Sequence, residues 1–460
     1  MKDYDLIVIG AGPGGYEAAL HAAHLGMRTA VVEMDRVGGT CLNRGCVPTK
    51  ALLHSSEIFR SASEGTPGVL ADNVRADIPA IFANKDRVTE TLTSGVETML
   101  KKAKVSLLRG RAVIKAPGAV EVTDAEGNAS EVTADKIIIA TGSVPAMPPI
   151  PGLDLPGVMT SNELLKGTDH LYDSIVIIGG GVIGVELATF YNDLGSKVTI
   201  VEGLDRLLPN MDKELGQNLS LLMKKRGADV FTSAMVESIE KAENGFTVNF
   251  RVKGELRSVS SEAVLCAIGR RPFFDGLFAG GLEPEKDGKS LKVDSRFETS
   301  IPGVYAIGDV SSKIQLAHVA TAQGIACVDM IAGSENSVDL DIVPSCIYTR
   351  PEIAVVGLSE AEAAERGITA KTGKCVMGGN ARTLIADPGR SFMKVVAEAD
   401  SGRIVGAQLM CVNASDMISE IAQAMAAGMT AADLLRAMRP HPSFEEALTE
   451  ALRNLCSKLD

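Results

Sequence analysis

The sequence has no tryptophan, few aromatic residues and no long apolar run. Without tryptophan, strong fluorescence or visible colour would have to come from a bound cofactor. The N-terminal stretch MKDYDLIVIGAGPGG is apolar for only a few residues before its glycines. It therefore predicts a buried strand, and neither a signal peptide nor a membrane span. These absences predict a cytoplasmic protein that does not bind membranes.

Basic residues are also fewer than acidic ones: the chain has 46 Lys and Arg and 58 Asp and Glu, which gives a net charge of −12. A nucleic-acid partner is excluded because phosphate backbones require clustered basic residues. Eight cysteines in 460 residues are too sparse for the disulfide framework of a small secreted domain. The length exceeds what one core normally holds, so roughly three or four domains are expected.

What the sequence does contain is a long-period duplication. DLIVIGAGPGGYEAAL (5–20) and SIVIIGGGVIGVELAT (174–189) each place an apolar run before three glycines with G-x-G-x-x-G spacing and an Ala-rich helix. A second apolar run ends in Glu33 in one copy and Glu202 in the other, 23 residues after the first glycine each time. The glycines are Gly10, Gly12 and Gly15, and Gly179, Gly181 and Gly184.

Each residue of this motif has a physical role. The first glycine permits the tight strand-to-helix turn, the second lets a pyrophosphate approach the backbone, and the third lets the helix pack close to the sheet. The helix N-terminus presents unpaired N–H groups to the phosphates, and the acid accepts hydrogen bonds from a ribose hydroxyl. Two copies predict two dinucleotide-binding folds.

The stretch GGTCLNRGCVPTK (38–50) places Cys41 and Cys46 five residues apart. Zinc would require further ligands, and the sequence nearby offers only His54. A structural disulfide between these cysteines would close a loop too short to add much stability, and a reducing compartment would keep the two thiols reduced. A redox pair remains the favoured interpretation, with the metal and structural-disulfide alternatives kept open.

The spacing also constrains the local structure. On a regular helix, residues five apart have Cα atoms more than ~7 Å apart, beyond the reach of a disulfide. A bridge therefore requires a distorted first turn, which Gly45 and Pro48 make feasible. Lys50 lies one helical turn after Cys46 on the same face, so if Cys46 contacts a redox cofactor, Lys50 is expected to contact it too.

Motifs along the whole chain resemble those of the flavoprotein disulfide reductases, and among them most closely the enzymes that oxidise dihydrolipoyl groups. They occur in the family's order: GAGPGG, GGTCLNRGCVPTK, IIIATGS, GGGVIGVE, AIGRRP, YAIGDV, QLAH, YTRPE and HPSFEEA. The chain departs from the family's common residues at Ser443, where Thr is usual, and at Arg350, where His or Asp is frequent.

The resemblance implies that the first fold binds FAD and the second binds NAD. It implies that Cys41 is the interchange thiol, that Cys46 faces the flavin as a charge-transfer donor, and that Lys50 and Glu186 form an ion pair beside the flavin. A first-turn helix acid is the simpler interpretation of Glu186. The implied cofactor-binding residues are Gly10, Gly12, Gly14, Gly15, Glu33, Thr40, Lys50, Ala112, Thr141, Gly142, Ser143, Gly308, Asp309, Leu316, Ala317 and His318 for one cofactor, and Gly179, Gly181, Gly184, Glu186, Glu202, Val236 and Gly269 for the other.

His441 is the only histidine of the last hundred residues. The resemblance implies a homodimer in which His441 is the catalytic base for the partner subunit's cysteine pair and Glu446 orients it. On the sequence alone, Ser443-Phe-Glu-Glu446 fits a capping box at a helix N-terminus, and a lone histidine is usually a packing or surface residue.

The predicted fold is α/β, with two Rossmann-like dinucleotide-binding domains, a central region and an α+β C-terminal dimerisation domain. Residues 1–147 form the FAD domain with the redox pair, 148–270 the NAD domain, 271–342 a central domain that completes the FAD site, and 343–460 the dimerisation domain. Amphipathic helices are expected at about 415–428 and 444–458.

The resemblance implies that electrons pass from a dihydrolipoyl dithiol through Cys41 and Cys46 to FAD and then to NAD⁺. Glu202 favours NAD because a carboxylate repels the 2′-phosphate of NADP. The expected partners are a second copy of the chain and lipoyl-bearing acyltransferase or aminomethyl-carrier proteins of 2-oxo acid dehydrogenase or glycine cleavage complexes. No metal site is expected. The alternatives are another disulfide or metal-ion reductase of this fold and a non-catalytic docking subunit, which is disfavoured because every redox position is filled.

Overall fold

The computed structural model describes residues 2–65, 68–334, 338–386 and 389–459. The first domain is built on a parallel sheet whose strands lie in the order β3-β2-β1-β6. Strand β6 is long, and its first half pairs antiparallel with β5, which in turn pairs antiparallel with β4 to form a second layer. The elements are β1 (Tyr4–Ile9), α1 (Pro13–His24), β2 (Thr29–Glu33), α2 (Gly39–Arg44), α3 (Cys46–Glu64), α4 (Ile78–Lys102), β3 (Ser106–Arg109), β4 (Arg111–Ala116), β5 (Ala119–Thr123), β6 (Ala129–Ile139) and β7 (Ser143–Pro145).

The second domain repeats this plan with a parallel sheet in the order β11-β10-β9-β15-β8 and a three-stranded antiparallel sheet, β12-β13-β14. Strands β1 and β9 are apolar along most of their length, as expected where helices cover both faces of a parallel sheet. The elements are β8 (Val158–Thr160), α5 (Ser161–Leu164), β9 (Ser174–Ile178), α6 (Val182–Asp193), β10 (Lys197–Val201), α7 (Lys213–Lys225), β11 (Asp229–Phe231), β12 (Ala234–Ala242), β13 (Gly245–Val252), β14 (Glu255–Ser261), β15 (Ala263–Cys266) and β16 (Arg270–Pro272).

The next segment returns to the first domain. Its strand β19 pairs in parallel with β6 and so extends the first sheet, and helix α8 packs on α1. Its elements are β17 (Lys286–Asp287), β18 (Ser290–Leu291), β19 (Val304–Ala306), a 3₁₀ turn (Gly308–Val310) and α8 (Ala317–Ile331). The glycine-to-acid turn after β19 is thereby brought beside the carboxyl end of β6.

The last segment is an antiparallel sheet in the order β20-β21-β24-β23-β22, covered by helices. The stretches FMKVVAEA and RIVGAQLM form two of its strands, and the helices expected near 415–428 and 444–458 are confirmed. The elements are β20 (Ser345–Ile347), β21 (Glu352–Gly357), α9 (Glu360–Glu365), β22 (Ala370–Val376), a 3₁₀ turn (Met377–Gly379), α10 (Ala381–Ala386), β23 (Phe392–Glu398), β24 (Ile404–Cys411), α11 (Ala414–Ala426), α12 (Ala431–Leu434) and α13 (Glu446–Cys456).

One hydrophobic cluster crosses three of these segments. It joins Leu52 of α3, the core of the second domain around Tyr191, and Ile347 and Phe392 of the last sheet. Burial of this apolar surface holds the cysteine-bearing helices against the second domain. In the part of the chain that the structure describes, no helix is long and apolar enough to cross a membrane.

Candidate functional site

The two glycine-rich turns have the same geometry. Gly10 has φ +101° and Gly179 has φ +109°, a backbone region that favours glycine. A Cβ atom on either residue would lie 2.5 Å from the carbonyl oxygen that follows β6 or β15. A Cβ on Gly15 or Gly184 would lie 1.9 or 2.0 Å from the carbonyl oxygen of the first glycine. The third glycines therefore lie behind the turns and allow each helix to pack against its strand.

The second glycine of each motif leaves open space for a ligand. A Cβ on Gly12 would meet only the Cα of Gly39, at 3.9 Å, and a Cβ on Gly181 would meet nothing within 4 Å. These two residues cap α1 and α6 without any side-chain hydrogen bond, so first-turn N–H groups stay available to an anion. Both turns therefore fit a pyrophosphate.

The two acids at the ends of β2 and β10 are held in the same way. Glu33 accepts hydrogen bonds from the backbone N–H of Ala11 (2.7 Å) and of Asp35 (2.8 Å). Glu202 accepts them from Gly180 (2.5 Å) and Leu204 (2.7 Å), the equivalent positions. Each carboxylate is thereby fixed beside its glycine turn, with lone pairs left to accept from ribose hydroxyls.

A cavity of about 1650 Å³ runs between the two glycine turns. It exceeds the ~300–1,000 Å³ usual for a single small-ligand site, and we call it the dinucleotide cavity. Gly15, Gly184, His441 and Glu446 are not part of its wall. The predicted residues that line it are Gly10, Gly12, Gly14, Glu33, Thr40, Cys41, Cys46, Lys50, Ala112, Thr141, Gly142, Ser143, Gly179, Gly181, Glu186, Glu202, Val236, Gly269, Gly308, Asp309, Leu316, Ala317 and His318.

The cysteine pair lies where one helix ends and the next begins. Helix α2 ends at Arg44 and α3 starts at Cys46, with Gly45 between them outside helical geometry (φ −148°, ψ −111°). The distorted turn that the spacing required is thus a complete break. Both cysteines are free thiols here, Cys41 half-buried and Cys46 exposed to the cavity.

The two thiols differ in acidity. A hydrogen bond from the Cys41 thiol to the Cys46 sulfur lowers the pKa of Cys46, and the charge of Lys50 lowers it further against the opposing effect of burial. The same hydrogen bond, together with burial, raises the pKa of Cys41. In the reduced pair, Cys46 is therefore the more acidic thiol and Cys41 the less acidic one.

Lys50 and Glu186 meet across the junction of the first two domains. Lys50 Nζ lies 2.8 Å from Oε2 and 3.0 Å from Oε1 of Glu186. Burial lowers the pKa of Lys50, but attraction to Glu186 outweighs it and the pKa is raised. Glu186 lies beyond the first turn of α6, so its interpretation as a first-turn acid is wrong.

The last segment of the chain closes over this ion pair. The backbone N–H of Tyr348 donates to Oε1 of Glu186 (3.0 Å), and the Tyr348 ring centroid lies 4.7 Å from Lys50 Nζ. Cys346 lines the same wall, where burial raises the pKa of its thiol to about 11. Sequence reasoning missed both residues, since only the fold brings them beside Lys50.

Asp309 belongs to a hydrogen-bonded chain at the other side of the cavity. Ser143 Oγ donates to Asp309 Oδ2 at 2.6 Å, and burial raises the pKa of Asp309. Arg270 donates to Ser143 and to Thr40. The motif AIGRRP contained Arg270, but nothing in its spacing indicated that the side chain enters the cavity.

His441 and Glu446 lie together on the surface of the last segment. His441 Nδ1 is 2.9 Å from Glu446 Oε1, and Glu446 Oε2 accepts from the backbone N–H of Ser443 at 2.9 Å. These contacts lower the pKa of Glu446, the Ser443 bond most. The capping-box prediction is half wrong, because Glu445 is the N-cap residue and the Ser443 hydroxyl, buried, has no partner. The His441 side chain is 74% exposed.

The described residues contain no group of three or more His, Cys, Asp or Glu that could hold a metal ion. Cys41 and Cys46 therefore have no further metal ligands beside them in the part of the chain that the structure describes.

Comparison with known proteins gives a consistent result. The family described as pyridine nucleotide-disulphide oxidoreductase matches residues 4–324, and the dimerisation domain of that name matches residues 343–452. A dihydrolipoyl dehydrogenase of Geobacillus stearothermophilus is 37% identical over 455 residues, which cover 97% of this chain and 95% of that protein. A mitochondrial dihydrolipoyl dehydrogenase of Pisum sativum is 37% identical over 97% of this chain and 90% of its own.

Two solved structures are similar over nearly the whole chain. LpdA from Mycobacterium tuberculosis has a TM-score of 0.89 at 29% identity, covering 98% of this chain and 99% of its own. The HOCl-induced flavoprotein disulfide reductase RclA from Escherichia coli has a TM-score of 0.86 at 28% identity, covering 99% of this chain and 100% of its own.

Proposed function

The chain belongs to the pyridine nucleotide-disulphide oxidoreductase family, and we propose that it is a dihydrolipoyl dehydrogenase. It oxidises protein-bound dihydrolipoyl groups to lipoyl groups and uses FAD and NAD⁺. The observation that carries this proposal is that Cys41 and Cys46 open on the same cavity as Lys50, Glu186 and both glycine-rich turns. Curated dihydrolipoyl dehydrogenases that are 37–38% identical over 97% of the chain support it.

The residues present fit the two dinucleotides. The open face of Gly12, the fixed carboxylate of Glu33 and the half-buried Asp309 would hold FAD, and Gly181 and Glu202 would hold NAD⁺. When bound at these residues, FAD would supply the two-electron redox chemistry that connects the reduced cysteine pair to NAD⁺.

Two thiol–disulfide exchanges account for substrate oxidation. A dihydrolipoyl thiolate attacks the sulfur of Cys41, and the Cys41–Cys46 bond breaks with its electron pair on Cys46. The second dihydrolipoyl sulfur then attacks the mixed disulfide, forms the lipoyl S–S bond and releases Cys41. Of the two substrate protons, one remains on Cys41 and one is released. The pKa order of the two thiols supports Cys46 as the leaving thiolate.

His441 is the base that we assign to this exchange. With its Nδ1–H donated to Glu446, the Nε2 of the imidazole is free to accept a thiol proton. The ring is exposed and is not on the wall of the dinucleotide cavity of its own chain. The protein forms a homodimer, and we assign each His441 to the cysteine pair of the other subunit.

Glu202 supports NAD⁺ as the acceptor over NADP⁺. Both oxygens of its carboxylate are anchored by backbone N–H groups, so the charge cannot move away from a 2′-phosphate. Arg206 does not offset this charge because its guanidinium is bonded to Asp205 and to the carbonyl oxygen of Pro209.

The partners assigned to the enzyme are lipoyl-bearing acyltransferase or aminomethyl-carrier proteins, and the compartment assigned is the cytoplasm. These partners are proposed because their lipoyl groups, when reduced, are the dithiols that this exchange chemistry requires. The cytoplasm is proposed because the low number of cysteines is typical of a protein in a reducing compartment.

The test is anaerobic reduction of the FAD-loaded dimer by dihydrolipoamide. The wild type is expected to develop the long-wavelength absorbance of a Cys46 thiolate next to oxidised flavin. Cys41→Ser and Cys46→Ser are expected to retain FAD but not to react with the dithiol. Reaction of both serine variants at the wild-type rate would contradict the proposal. Loss of FAD from both would mean that the pair is structural.

A further inference from the structure

Arg270 is a basic residue whose side chain contacts both the cysteine-bearing helix α2 and the Ser143–Asp309 hydrogen bond. It is the first residue of β16, which pairs antiparallel with β7, and its side chain lines the dinucleotide cavity. Its Nε donates to Ser143 Oγ at 2.8 Å, and its Nη2 donates to the Ser143 carbonyl at 2.6 Å and to Thr40 Oγ1 at 3.3 Å. Two nitrogen atoms of the planar Arg270 guanidinium thus donate to two separate segments of the first domain.

These contacts connect the thiols to the flavin pocket. Thr40 precedes Cys41 on α2, and Ser143, which accepts from Arg270, donates its own hydroxyl hydrogen to Asp309. The direction of each bond is consistent, because a hydroxyl donates once and also accepts. Rotation of α2 away from the pocket would break the bond to Thr40.

The charge of Arg270 acts on the same groups. A guanidinium stays protonated even when buried, and Arg270 is attracted electrostatically to Asp309 and to Cys46. The groups that act on the Cys46 sulfur through charge or hydrogen bonding include the Cys41 thiol of α2, Lys50 of α3, Glu186 of α6 and Arg270 of β16. Lys50 is paired directly with Glu186 at 2.8 Å. The Arg270 guanidinium instead donates to neutral oxygen atoms of Ser143 and Thr40 and is linked to the Asp309 carboxylate through the Ser143 hydroxyl. Arg270 is therefore a second source of positive charge for Cys46, beside Lys50.

We propose that Arg270 is a positioning residue that fixes helix α2 against the flavin pocket and holds Cys46 as the thiolate when the cysteine pair is reduced. This proposal rests on one part of the proposed function, the redox activity of Cys46. It does not depend on which dithiol reduces the cysteine pair.

The test is a pH titration of the long-wavelength thiolate absorbance in FAD-loaded enzyme that has been reduced anaerobically with one equivalent of NADH. Arg270→Met is expected to raise the titration midpoint by about one pH unit, the effect of removing an opposite charge near a titrating group. Arg270→Lys keeps the charge and is expected to stay within roughly half a pH unit of the wild type.

Arg271→Met is the matched control. Arg271 is the next residue, is 45% exposed and pairs with Asp275 at 2.9 Å. Asp275 lines the dinucleotide cavity, but the Arg271 side chain does not. Its midpoint is expected to equal that of the wild type. If Arg270→Met does not retain FAD, the neutral but polar Arg270→Gln replaces it in the same titration.

A wild-type midpoint in the neutral Arg270 variant overturns the proposal, as does an equal shift in Arg271→Met. Reduction by NADH keeps this result separate from the proposed function, which is tested by turnover of the wild type with dihydrolipoamide. A wild type that shows the absorbance but does not oxidise dihydrolipoamide would reject the substrate and leave the role of Arg270 open to the same titration.

Discussion

Lys50 Nζ lies 2.8 Å from Glu186 Oε2, so a charge on the cysteine-bearing helix of the first domain is neutralised by a charge on the second. The Glu186 side chain is 4% exposed and that of Lys50 is 30% exposed. Removing one member of a buried pair leaves an uncompensated charge, which costs about 3–5 kcal/mol when both are fully buried. The partial exposure of Lys50 reduces this cost.

We therefore expect Glu186→Gln to lower the free energy of unfolding by about 1–3 kcal/mol and to slow NAD⁺-dependent turnover at least about tenfold. Chemical denaturation and steady-state kinetics measure the two effects. The double variant Lys50→Met/Glu186→Leu is the control, because it removes both charges. Greater destabilisation in the double variant than in Glu186→Gln would show that the pair is not electrostatically coupled.

The thiol hydrogen bond predicts a pH dependence. The pKa of Cys46 is lowered, so its thiolate is present above that pKa and is lost as the pH falls through it. Cys41→Ala removes the donor and is expected to raise the midpoint of the thiolate–flavin absorbance by about one pH unit. Cys41→Ser keeps an O–H donor, so its midpoint should lie between those of Cys41→Ala and the reduced wild type. Equal midpoints in the two variants would contradict this.

His441 is expected to be essential for reaction with the dithiol and dispensable for reaction with the nicotinamide. We predict that His441→Gln lowers kcat for dihydrolipoamide oxidation by about 10²–10⁴-fold, while reduction of the flavin by NADH keeps its wild-type rate. Stopped-flow absorbance separates the two half-reactions. Glu446→Gln retains a hydrogen-bond acceptor and is expected to lose about tenfold.

Mixed dimers test whether the site is shared between subunits. A heterodimer of a Cys41→Ser chain and a His441→Gln chain has one intact site if His441 acts on the partner, and none if it acts within its own chain. Both parent homodimers should be inactive, and co-expressed, doubly tagged heterodimers should regain about half of the wild-type rate. An inactive heterodimer with full FAD content would place the base elsewhere.

Glu202 is expected to set the preference for the nicotinamide cofactor. Removing a charged acceptor of a hydrogen bond costs about 1.5–3 kcal/mol, so Glu202→Gln should raise the KM for NAD⁺ tenfold or more. The difference between the KM values for NAD⁺ and NADP⁺ should become smaller. Glu33→Gln is the matched control, since Glu33 has the equivalent bonds in the other fold. It should weaken FAD retention and leave the KM for NAD⁺ unchanged.

The second domain is also fixed to the last sheet by ionic contacts. Lys394 Nζ lies 2.6 Å from Asp212 Oδ2, and the two side chains are only 10% and 13% exposed. Lys394→Met is expected to lower the free energy of unfolding by about 2–4 kcal/mol. Lys292→Met breaks a pair with Glu285 whose side chains are 59% and 63% exposed. It should leave the free energy of unfolding almost unchanged, because exposed ion pairs contribute little to stability. Equal melting temperatures for the two variants would contradict the assignment.

Local chemistry made much of this fold predictable. The duplicated glycine turns and the acid 23 residues later specify a strand, a turn, a helix and a second strand, and both copies adopt that order. The spacing of Cys41 and Cys46 required a broken helix, and the chain breaks at Gly45. These features depend on residues that are close in sequence.

Other parts of the site depend on contacts between distant segments. Tyr348 reaches Glu186 only because the last sheet folds back onto the second domain, and Arg270 reaches Thr40 only through the pairing of β16 with β7. The capping box at Ser443 formed only in part, and here the cause is local. Glu446 accepts from the Ser443 N–H as the motif requires, but α13 begins at Glu446 and the Ser443 hydroxyl has no partner.

Dihydrolipoyl dehydrogenase activity is tested most directly by the rate of NADH formation when the FAD-loaded dimer is mixed with dihydrolipoamide and NAD⁺. We expect rapid turnover with one NADH per dithiol oxidised, a rate with NADP⁺ at least about tenfold lower, and no turnover in Cys41→Ser. An FAD-loaded wild-type dimer that forms no NADH from dihydrolipoamide would contradict the proposed activity.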